Sequence, residues 1–309
     1  MAQRAKVQGG TRGPEAQKLR EIPKTGWRDI LLRVKEAQKK DNLSIISAGV
    51  AFYALLAIFP AIASAVSIFG LVADPAQLQQ QLSNLSGFLP HEAHQLIEQQ
   101  LSRIVKSSAG ALGVGVVGGI LFSLWSSAKA MRAVIIALDV VYEEEDERGF
   151  FKLHGLAILL TLGSIVFTLV ALGLILALPA ILRSIGLPGF VQTIILNIGR
   201  WFLLGLMIIF ALGVLYRYGP NRDHPRRQWA SIGAVVATVL WIGASFLFSY
   251  FVSNFANYNK IYGSMGAIII LLMWFFLTAY AVLIGAELNT AIERQTRRDT
   301  TPGEPEPMG

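Results

Sequence analysis

The chain has 309 residues, of which 53% are hydrophobic and 15% are charged, and its formal net charge is +7. A soluble domain usually carries about 25% charged residues, so this composition excludes an ordinary soluble protein and favours a membrane protein. The absence of cysteine excludes a disulfide, an iron–sulfur cluster and a thiolate zinc site.

The first 40 residues form a basic segment with eleven Lys or Arg residues and four acids. Beside a membrane span, such a segment more often contacts anionic lipid headgroups at the cytoplasmic face than nucleic acid. We therefore expect membrane lipids, and no nucleic acid, as partners. From Pro23 to Lys40 the apolar residues recur at helical spacing, which predicts an amphipathic helix on that face.

Six long apolar stretches follow, and each exceeds the roughly 20 residues that a helix needs to cross a hydrocarbon core of about 30 Å. They cover residues 44–73, 111–138, 153–182, 191–216, 228–255 and 263–291. They predict an all-α fold: a polytopic bundle of six transmembrane helices plus amphipathic helices, with residues 41–292 as the membrane domain. Pro60 lies inside the first stretch and should kink its helix, because proline removes a backbone donor.

Two polar segments complete the predicted organisation. Residues 75–107 carry leucine and isoleucine at helical spacing, which predicts a helical hairpin on the outer surface. Such a hairpin could dock a periplasmic or other envelope protein. The tail, residues 293–309, is polar and is predicted to be disordered and cytoplasmic.

The positive charges are distributed unequally between the two sides that six spans define. The side with both termini would hold 22 of the 27 Lys and Arg residues, and the other side would hold 5. Basic residues accumulate on the cytoplasmic side of membrane proteins, so the sequence predicts cytoplasmic N- and C-termini.

Two patterns resemble binding motifs only by spacing. Gly113, Gly115 and Gly118 match the dinucleotide fingerprint, but no strand precedes them, so they indicate close packing of helices instead. His91 and His94 lie three residues apart without a recognisable third ligand, which favours a solvated helix over a metal site. The sequence therefore predicts neither a metal nor a cofactor.

Four charged residues near the end of the second span form the strongest constellation: Lys129, Arg132, Asp139 and Glu143. Their spacing keeps them on one face if the helix is continuous. They are either interfacial side chains with intrahelical ion pairs, or the polar wall of a cavity whose two cations meet a phosphate. The acidic run 143–147 that follows is expected to be a solvated loop.

The last two spans carry further candidate cavity residues. Glu287 and Asn289 lie near the inner end of the sixth span, where an acid is costly unless it is paired or hydrated. We expect Glu287 to pair with Arg132 or with a residue of the loop between spans four and five. Lys260 lies between spans five and six with Asn254 and Asn257, where this polar cluster either lines a cavity or caps two helices.

Several segments together resemble the YihY/BrkB virulence-factor family of bacterial inner-membrane proteins over residues 25–292. They are Ala48–Pro60, Leu124–Ser127 leading to Arg148–Phe150, Tyr216–Arg222, Tyr262–Ala267 and Gly285–Asn289. The acidic run 143–147 is longer than expected of the family. The resemblance implies six spans and a bacterial inner membrane. Members once carried the label ribonuclease BN, and they have been linked to serum resistance and to the movement of lipids or envelope precursors.

Three hypotheses about function follow. The first is transport or handling of a lipid or other anionic amphipathic substrate, with Lys129 and Arg132 meeting the headgroup and Glu287 tuning or gating the site. The alternative is a non-catalytic scaffold or partner subunit for an envelope protein, and a homo-oligomer is left open. A ribonuclease is least favoured, because the four histidines are scattered and the acids form no recognisable set of metal ligands.

Overall fold

The computed structural model describes residues 24–72, 109–176, 178–186, 188–222, 227–254 and 264–294. Several predictions fall outside these residues: the hairpin at 75–107, the tail beyond Arg294, His91, His94, Asn257, Lys260 and the side chain of Asn254.

The described residues are almost entirely helical. The helices are α1 Lys24–Lys40, α2 Leu43–Val72, α3 Ala109–Val141, α4 Phe150–Leu176, α5 Leu178–Ser184, α6 Gly189–Ile194, α7 Arg200–Tyr218, α8 Arg227–Asn254 and α9 Ser264–Arg294. One π-helical turn, Ile195–Gly199, joins α6 to α7 without a break. No strand is present in the described part of the chain.

Six of these helical stretches are long and apolar enough to cross a bilayer: α2, α3, α4, the α6–α7 pair, α8 and α9. The prediction of an all-α bundle with six spans is therefore confirmed. Pro60 lies inside α2, and the helix continues beyond it to Val72. The kink at Pro60 stays a prediction.

The last helix, α9, is the centre of the bundle. It packs against α1, α2, α3 and α8, whereas α4 packs mainly on α3 and α7. The largest buried cluster is built from α2, α3, α7, α8 and α9, and it includes Leu43, Leu138, Tyr216 and Leu283. The spans α4 and α6–α7 are at the periphery, with most of their apolar side chains exposed.

The amphipathic helix α1 is confirmed, and its apolar side chains divide into two groups. Ile30 and Val34 are buried against Leu288 and Ile292 of α9. Leu31 is 63% exposed on the outer surface of the helix. Helix α1 is therefore attached to the bundle through part of its apolar face.

Close helix packing is seen at two glycines that the sequence analysis did not single out for it. A Cβ built at Gly118 would meet no described atom within 4 Å, so the described residues show no close packing there, while the surroundings of Gly113 and Gly115 lie outside the described residues and their packing stays a prediction. A Cβ at Gly233 of α8 would instead lie 2.1 Å from the carbonyl oxygen of Gly285 in α9. The two backbones therefore touch where α8 crosses α9.

Candidate functional site

Four segments meet at one end of the bundle: the end of α1, the connection 142–149, residues 219–222 and the last two turns of α9. We call this region the ionic end. Its side chains come from parts of the chain that are far apart in sequence, so hydrogen bonds and ion pairs between them tie the ends of several spans together.

The acidic run 143–147 is the hub of the ionic end: it is a loop with most of its residues exposed, as predicted, and its acids also form ion pairs. Glu143 forms ion pairs with Lys40, at 2.7 Å, and with Arg294. The carboxylate of Asp146 accepts a hydrogen bond from Arg148 at 2.7 Å. Lys40 ends α1, Arg148 precedes α4 and Arg294 ends α9, so the acids connect the ends of separate helices as well as facing water.

The ionisation of Glu143 reflects these contacts. Partial burial by itself would raise the pKa of the Glu143 carboxyl, but the hydrogen bond and charge of Lys40 and the charge of Arg294 lower the pKa below the ordinary value of 4.5. The same contact raises the pKa of the Lys40 ammonium. Glu143 also adopts a φ of 54°, an uncommon conformation for a residue other than glycine, just after α3 ends.

Asp139 lies in the last turn of α3 and is 5% exposed. Its carboxylate accepts hydrogen bonds from Arg148 at 3.1 Å and from the backbone N–H of Asn221 at 2.8 Å. Arg148 also donates to the carbonyl oxygen of Gly219 at 2.8 Å. A buried acid that is paired and hydrogen-bonded in this way joins α3 to the chain after α7.

The constellation of four charges is therefore split into two. Asp139 and Glu143 belong to the ionic end, and each has cations of other segments as partners. The prediction that they share one wall with Lys129 and Arg132 is wrong for Glu143, because α3 ends at Val141 and the helical spacing does not extend to Glu143.

Arg222 is a central cation that the sequence analysis did not name as a candidate site residue. Its side chain is 4% exposed and pairs with Glu293 and with Glu144, the latter at 3.7 Å. The guanidinium also lies 4.6 Å from the ring centroid of Tyr142. Burial raises the pKa of the Tyr142 hydroxyl, so this ring remains neutral beside Arg222.

Lys129 and Arg132 form a separate cationic site on the surface of α3. The ammonium group of the exposed Lys129 lies 3.5 Å from the ring centroid of Trp125, in a cation–π contact. Arg132 places Nη1 3.0 Å from Nε2 of His154 in α4. Neither cation is paired with a carboxylate among the described residues.

His154 is a residue of this site that the sequence did not single out. Its Nδ1 lies 2.7 Å from the carbonyl oxygen of Phe150, which only accepts, so Nδ1 must carry the proton. In the neutral ring Nε2 is then an acceptor, and it receives the hydrogen bond from Arg132. His154 thus orients the guanidinium, whose Nε is buried without a hydrogen-bond partner among the described residues.

Glu287 is 2% exposed on α9. Arg132 is not its partner, because the Arg132 guanidinium is bonded to His154 of α4, and this part of the prediction is wrong. The loop after α7 is described only as far as Arg222, so a pairing with its remaining residues stays a prediction. Oε1 of Glu287 is buried without a hydrogen-bond partner among the described residues.

Asn289 is fully buried two residues further along α9. Its Oδ1 accepts a hydrogen bond from the backbone N–H of Gly233 at 2.9 Å, and its Nδ2 donates to the hydroxyl of Tyr142 at 3.2 Å. The side chain thus connects α8, α9 and the end of α3. Because it is fully buried and hydrogen-bonded on both sides, its role is structural rather than that of a cavity-lining residue.

The family of the protein follows from a sequence match over most of the chain. The family profile described as Virulence factor BrkB matches residues 34–308. The chain belongs to the BrkB family. The ribonuclease-like protein YfkH of Bacillus subtilis is a BrkB-like relative with 31% identity over 258 residues, which cover 81% of this chain and 90% of that protein.

Other similar proteins carry only a membrane name. A UPF0761 membrane protein of Alteromonas mediterranea is 25% identical, with 82% of this chain and 84% of that protein covered. One from Idiomarina loihiensis is 26% identical, with 85% and 90% covered. No solved structure matches the chain. This BrkB-family chain is thus an integral membrane protein, and the ribonuclease-like name is that of the relative YfkH.

The described residues also hold no group of three or more His, Asp or Glu side chains that could bind a metal ion. The geometry offers two distinct chemical features instead: a cationic surface at Lys129 and Arg132, and a buried acid, Glu287, whose Oε1 has no partner among the described residues.

Proposed function

We propose that this BrkB-family protein transports or handles a lipid or another anionic amphipathic molecule in the bacterial inner membrane. In this proposal the ionic end faces the cytoplasm, because the side with both termini carries 22 of the 27 basic residues. The cationic surface of α3 then lies within the bilayer, where it would meet the headgroup of a lipid that moves between the leaflets.

The observation that carries the proposal is the exposure of Lys129. At a rise of about 1.5 Å per residue, Lys129 lies about 18 Å from Val141, the last residue of α3, and so well within the span. A cation facing lipid at such a depth is costly unless an anion or water compensates it. The described residues offer it no carboxylate, so a phosphate or carboxylate from the membrane is the fitting partner.

Arg132 adds the geometry that a phosphate needs. Its guanidinium lies one turn from Lys129 and is oriented by His154 rather than neutralised by an acid. A planar guanidinium beside a mobile ammonium can hold two oxygens of one anionic headgroup, while the apolar surface of α3 and α4 contacts the acyl chains. Trp125 provides an aromatic surface under the ammonium.

The proposal is tested with purified protein in phospholipid vesicles. A fluorescent phosphatidylglycerol probe reports movement between leaflets, and a phosphatidylcholine probe with the same chains controls for charge. We expect wild type to move the anionic probe faster than empty vesicles do, and Lys129→Ala and Arg132→Ala to slow it. Lys152→Ala is the matched control, because Lys152 is an exposed lysine at the start of α4. If wild type equals empty vesicles, transport is ruled out for this class of lipid.

A scaffold for an envelope protein is the second candidate. It is favoured by the exposed apolar surfaces of α4 and α7, where Phe202 is 74% and Phe210 73% exposed. Another membrane protein could cover these faces as well as lipid does. Substituting Phe202 and Phe210 by alanine should then abolish co-purification of the partner while leaving the vesicle assay unchanged.

A further inference from the structure

We propose that the surface of α4 forms a path for the headgroup of an anionic phospholipid, with Arg200 of α7 as a second phosphate-binding site. This inference rests on the proposed function, because it gives the same substrate a second site beyond Lys129 and Arg132. The two sites lie at opposite ends of α4. Nη1 of Arg132 contacts His154 near the start of the helix. Nη1 of Arg200 donates to the carbonyl oxygen of Ile175 near its end, at 3.3 Å.

The contact with Ile175 holds Arg200 in place without neutralising it. The residue four positions after Ile175 is Pro179, which has no N–H, so the Ile175 carbonyl lacks an α-helical partner and accepts from Arg200 instead. The ring centroid of Trp201 lies 5.1 Å from the guanidinium, which is a looser contact than this hydrogen bond. A carbonyl oxygen carries no net charge, so the guanidinium keeps its full positive charge.

The guanidinium of Arg200 has donors left for an anion. The bond to Ile175 uses one of its five N–H groups. Its Nε is buried without a hydrogen-bond partner among the described residues, and the ion pairs seen in that part of the chain do not include it. A cation in a span is costly unless an anion or water compensates it, and a guanidinium fits two oxygens of a phosphate. Arg200 therefore offers a phosphate the same chemistry as Arg132 does at the other end of α4.

The backbone before Arg200 has an uncommon form. The π-helical turn Ile195–Gly199 directly precedes it, and the backbone N–H of Arg200 donates to the carbonyl oxygen of Ile195, five residues earlier. Such a turn contains one residue more than an α-helical turn, so it rotates the following side chains by about 100° around the helix axis. π-Helical turns are rare, and those that occur are often at functional sites. Here the turn sets the direction in which Arg200 leaves α7, and that direction is toward α4.

Hydroxyl groups connect the two ends of α4. Thr161 and Thr168 follow His154 in steps of seven residues, and Ile175 comes after a further step of the same length. Seven residues make nearly two turns of an α-helix, so these positions lie on one face, and Ser164 lies on the same side. We call Thr161, Ser164 and Thr168 the hydroxyl stripe. It joins the contact of one arginine to the contact of the other.

The hydroxyl stripe can hold the polar part of a headgroup or the water around it. Each hydroxyl donates to the carbonyl oxygen four residues earlier, at 2.7 to 2.9 Å, so it is satisfied when nothing is bound. Its oxygen still has lone pairs that accept from water or from the hydroxyls of a glycerol headgroup. Thr161 is buried, whereas Ser164 and Thr168 are exposed on the surface of the bundle. An aliphatic surface offers no such acceptors.

The dimensions of the path fit a bilayer. At about 1.5 Å per residue, the contacts of α4 with the two arginines lie about 32 Å apart, close to the roughly 30 Å of a hydrocarbon core. Apolar side chains flank the hydroxyl stripe: Ile158 is 39%, Ile165 44% and Leu172 46% exposed. A headgroup on the stripe therefore leaves its acyl chains against these side chains.

The site is tested by crosslinking, which does not require transport. The full-length protein is placed in vesicles of phosphatidylcholine and phosphatidylglycerol that contain a phosphatidylglycerol probe with a photoreactive headgroup, and mass spectrometry locates the crosslinks. We expect wild type to be labelled around Arg200. Arg200→Ala should reduce this labelling by about tenfold, because a hydrogen bond to a charged group is lost. Arg200→Lys, which keeps the charge, should retain more of it.

Two controls separate this site from a general effect. Arg217→Ala removes another arginine of α7, which contacts the ring of Tyr218 and pairs with no carboxylate among the described residues, and it should leave the labelling around Arg200 unchanged. An excess of inorganic phosphate should also leave it unchanged, because a lipid headgroup reaches the site from the bilayer and free phosphate does not. Loss of the labelling in phosphate would assign the site to a soluble anion and overturn the inference.

The path is tested by transfer of the fluorescent phosphatidylglycerol probe. Ser164→Ala combined with Thr168→Val removes both exposed hydroxyls with little change of volume, and should slow the transfer by about fivefold while the labelling around Arg200 remains. Thr193→Val is the control, because Thr193 is an exposed threonine of α6 whose hydroxyl forms the same kind of bond, to Gly189 at 2.9 Å. Transfer by the double variant at the wild-type rate would overturn the path.

Failure of this inference differs from failure of the proposed function. The binding site is overturned if wild type is not labelled around Arg200, which requires no variant to fold, or if Arg200→Ala is labelled like wild type. Wild type that transfers the probe but shows no labelling there keeps the proposed function without this site. Wild type that is labelled around Arg200 but equals empty vesicles in transfer keeps the binding site and loses both the path and transport.

Discussion

Gly285 of α9 and Gly233 of α8 are in direct backbone contact: a Cβ built at Gly285 would lie 2.5 Å from the carbonyl oxygen of Gly233. It would also lie 2.7 Å from the hydroxyl of Tyr216, which donates to the carbonyl oxygen of Val282. The close approach lets Asn289 reach the backbone of α8. The position of Asn289, and of the last two turns of α9 relative to α8, therefore depends on the absence of two side chains.

The first prediction concerns this crossing. Gly285→Ala should destabilise the protein by about 3 kcal/mol, because rigid backbone atoms cannot yield to the added methyl group. Thermal unfolding in detergent measures the effect. Gly243→Ala is the control within the same helix pair, since a Cβ there would meet no described atom within 4 Å. Alanine is the better helix former, so Gly243→Ala should have the same stability as wild type or a higher one. Equal losses of stability in both variants would show that the backbone contact between α8 and α9 is not the cause.

The second prediction concerns the buried pair of Arg148 and Asp139. Their side chains are 13% and 7% exposed, so Arg148→Met should leave a buried carboxylate without its cation and cost about 3 kcal/mol. Asp139→Asn added to this variant should recover part of the loss, because the amide oxygen still accepts from Asn221 without carrying a charge.

Arg217→Met is the control for the general effect of replacing an arginine by methionine. Arg217 contacts the ring of Tyr218 at 5.4 Å and pairs with no carboxylate among the described residues. Chemical denaturation of all four proteins gives the comparison. If the double variant is as unstable as Arg148→Met alone, the unpaired charge of Asp139 is not the cause of the lost stability.

The third prediction concerns acid sensitivity at Glu143. Since the folded protein lowers the pKa of this carboxyl, its contribution to stability is complete above the unfolded value of 4.5 and is lost as the pH falls through the folded value. Glu143→Gln should therefore be less stable than wild type at neutral pH, and the two should converge in acid below that value. Melting temperatures across this range measure it.

Glu145→Gln should follow the pH dependence of wild type, because only the backbone carbonyl of Glu145 is seen to accept a hydrogen bond, from Asn221.

The contribution of Lys40 to stability changes with pH in the opposite direction. Its pKa is raised, so its contribution is complete below 10.5 and is lost as the pH rises through the folded value. Convergence of wild type and Glu143→Gln in alkali but not in acid would contradict the assignment to the carboxyl.

The spans were predictable because each depends on a local property, an apolar run of sufficient length. Helix α1 was predictable for the same reason, although the pattern could not tell that Ile30 packs on α9 while Leu31 stays outside. The apolar pattern of a helical face does not indicate which neighbouring helix packs against it. The glycines illustrate the same limit, since Gly118 and Gly285 both lie in apolar helices and only the second touches a neighbour.

The candidate site was predicted less completely, because its contacts join distant segments. Glu287 was recognisable as an acid within an apolar helix, but its surroundings depend on how α1 and α2 dock on α9. The acids 143–147 resemble a solvated loop until the cations at the ends of α1, α7 and α9 are placed beside them. His154 gave no signal, because a lone histidine in a span has no local pattern that points to Arg132.

The fourth prediction concerns the aromatic ring beneath Lys129 and depends on the proposed lipid function. Trp125→Leu keeps an apolar side chain of helical preference but removes the ring that holds the ammonium at 3.5 Å. A partly desolvated cation–π contact contributes about 1 kcal/mol, so transfer of the anionic probe should fall by about fivefold. Trp201→Leu is the control, since Trp201 forms a looser contact with Arg200, at 5.1 Å, in another span. If both variants lose the same amount of transfer, or if transfer of the zwitterionic probe falls as much as that of the anionic probe, then Lys129 does not hold an anion. The loss would then come from a general change in the helix bundle.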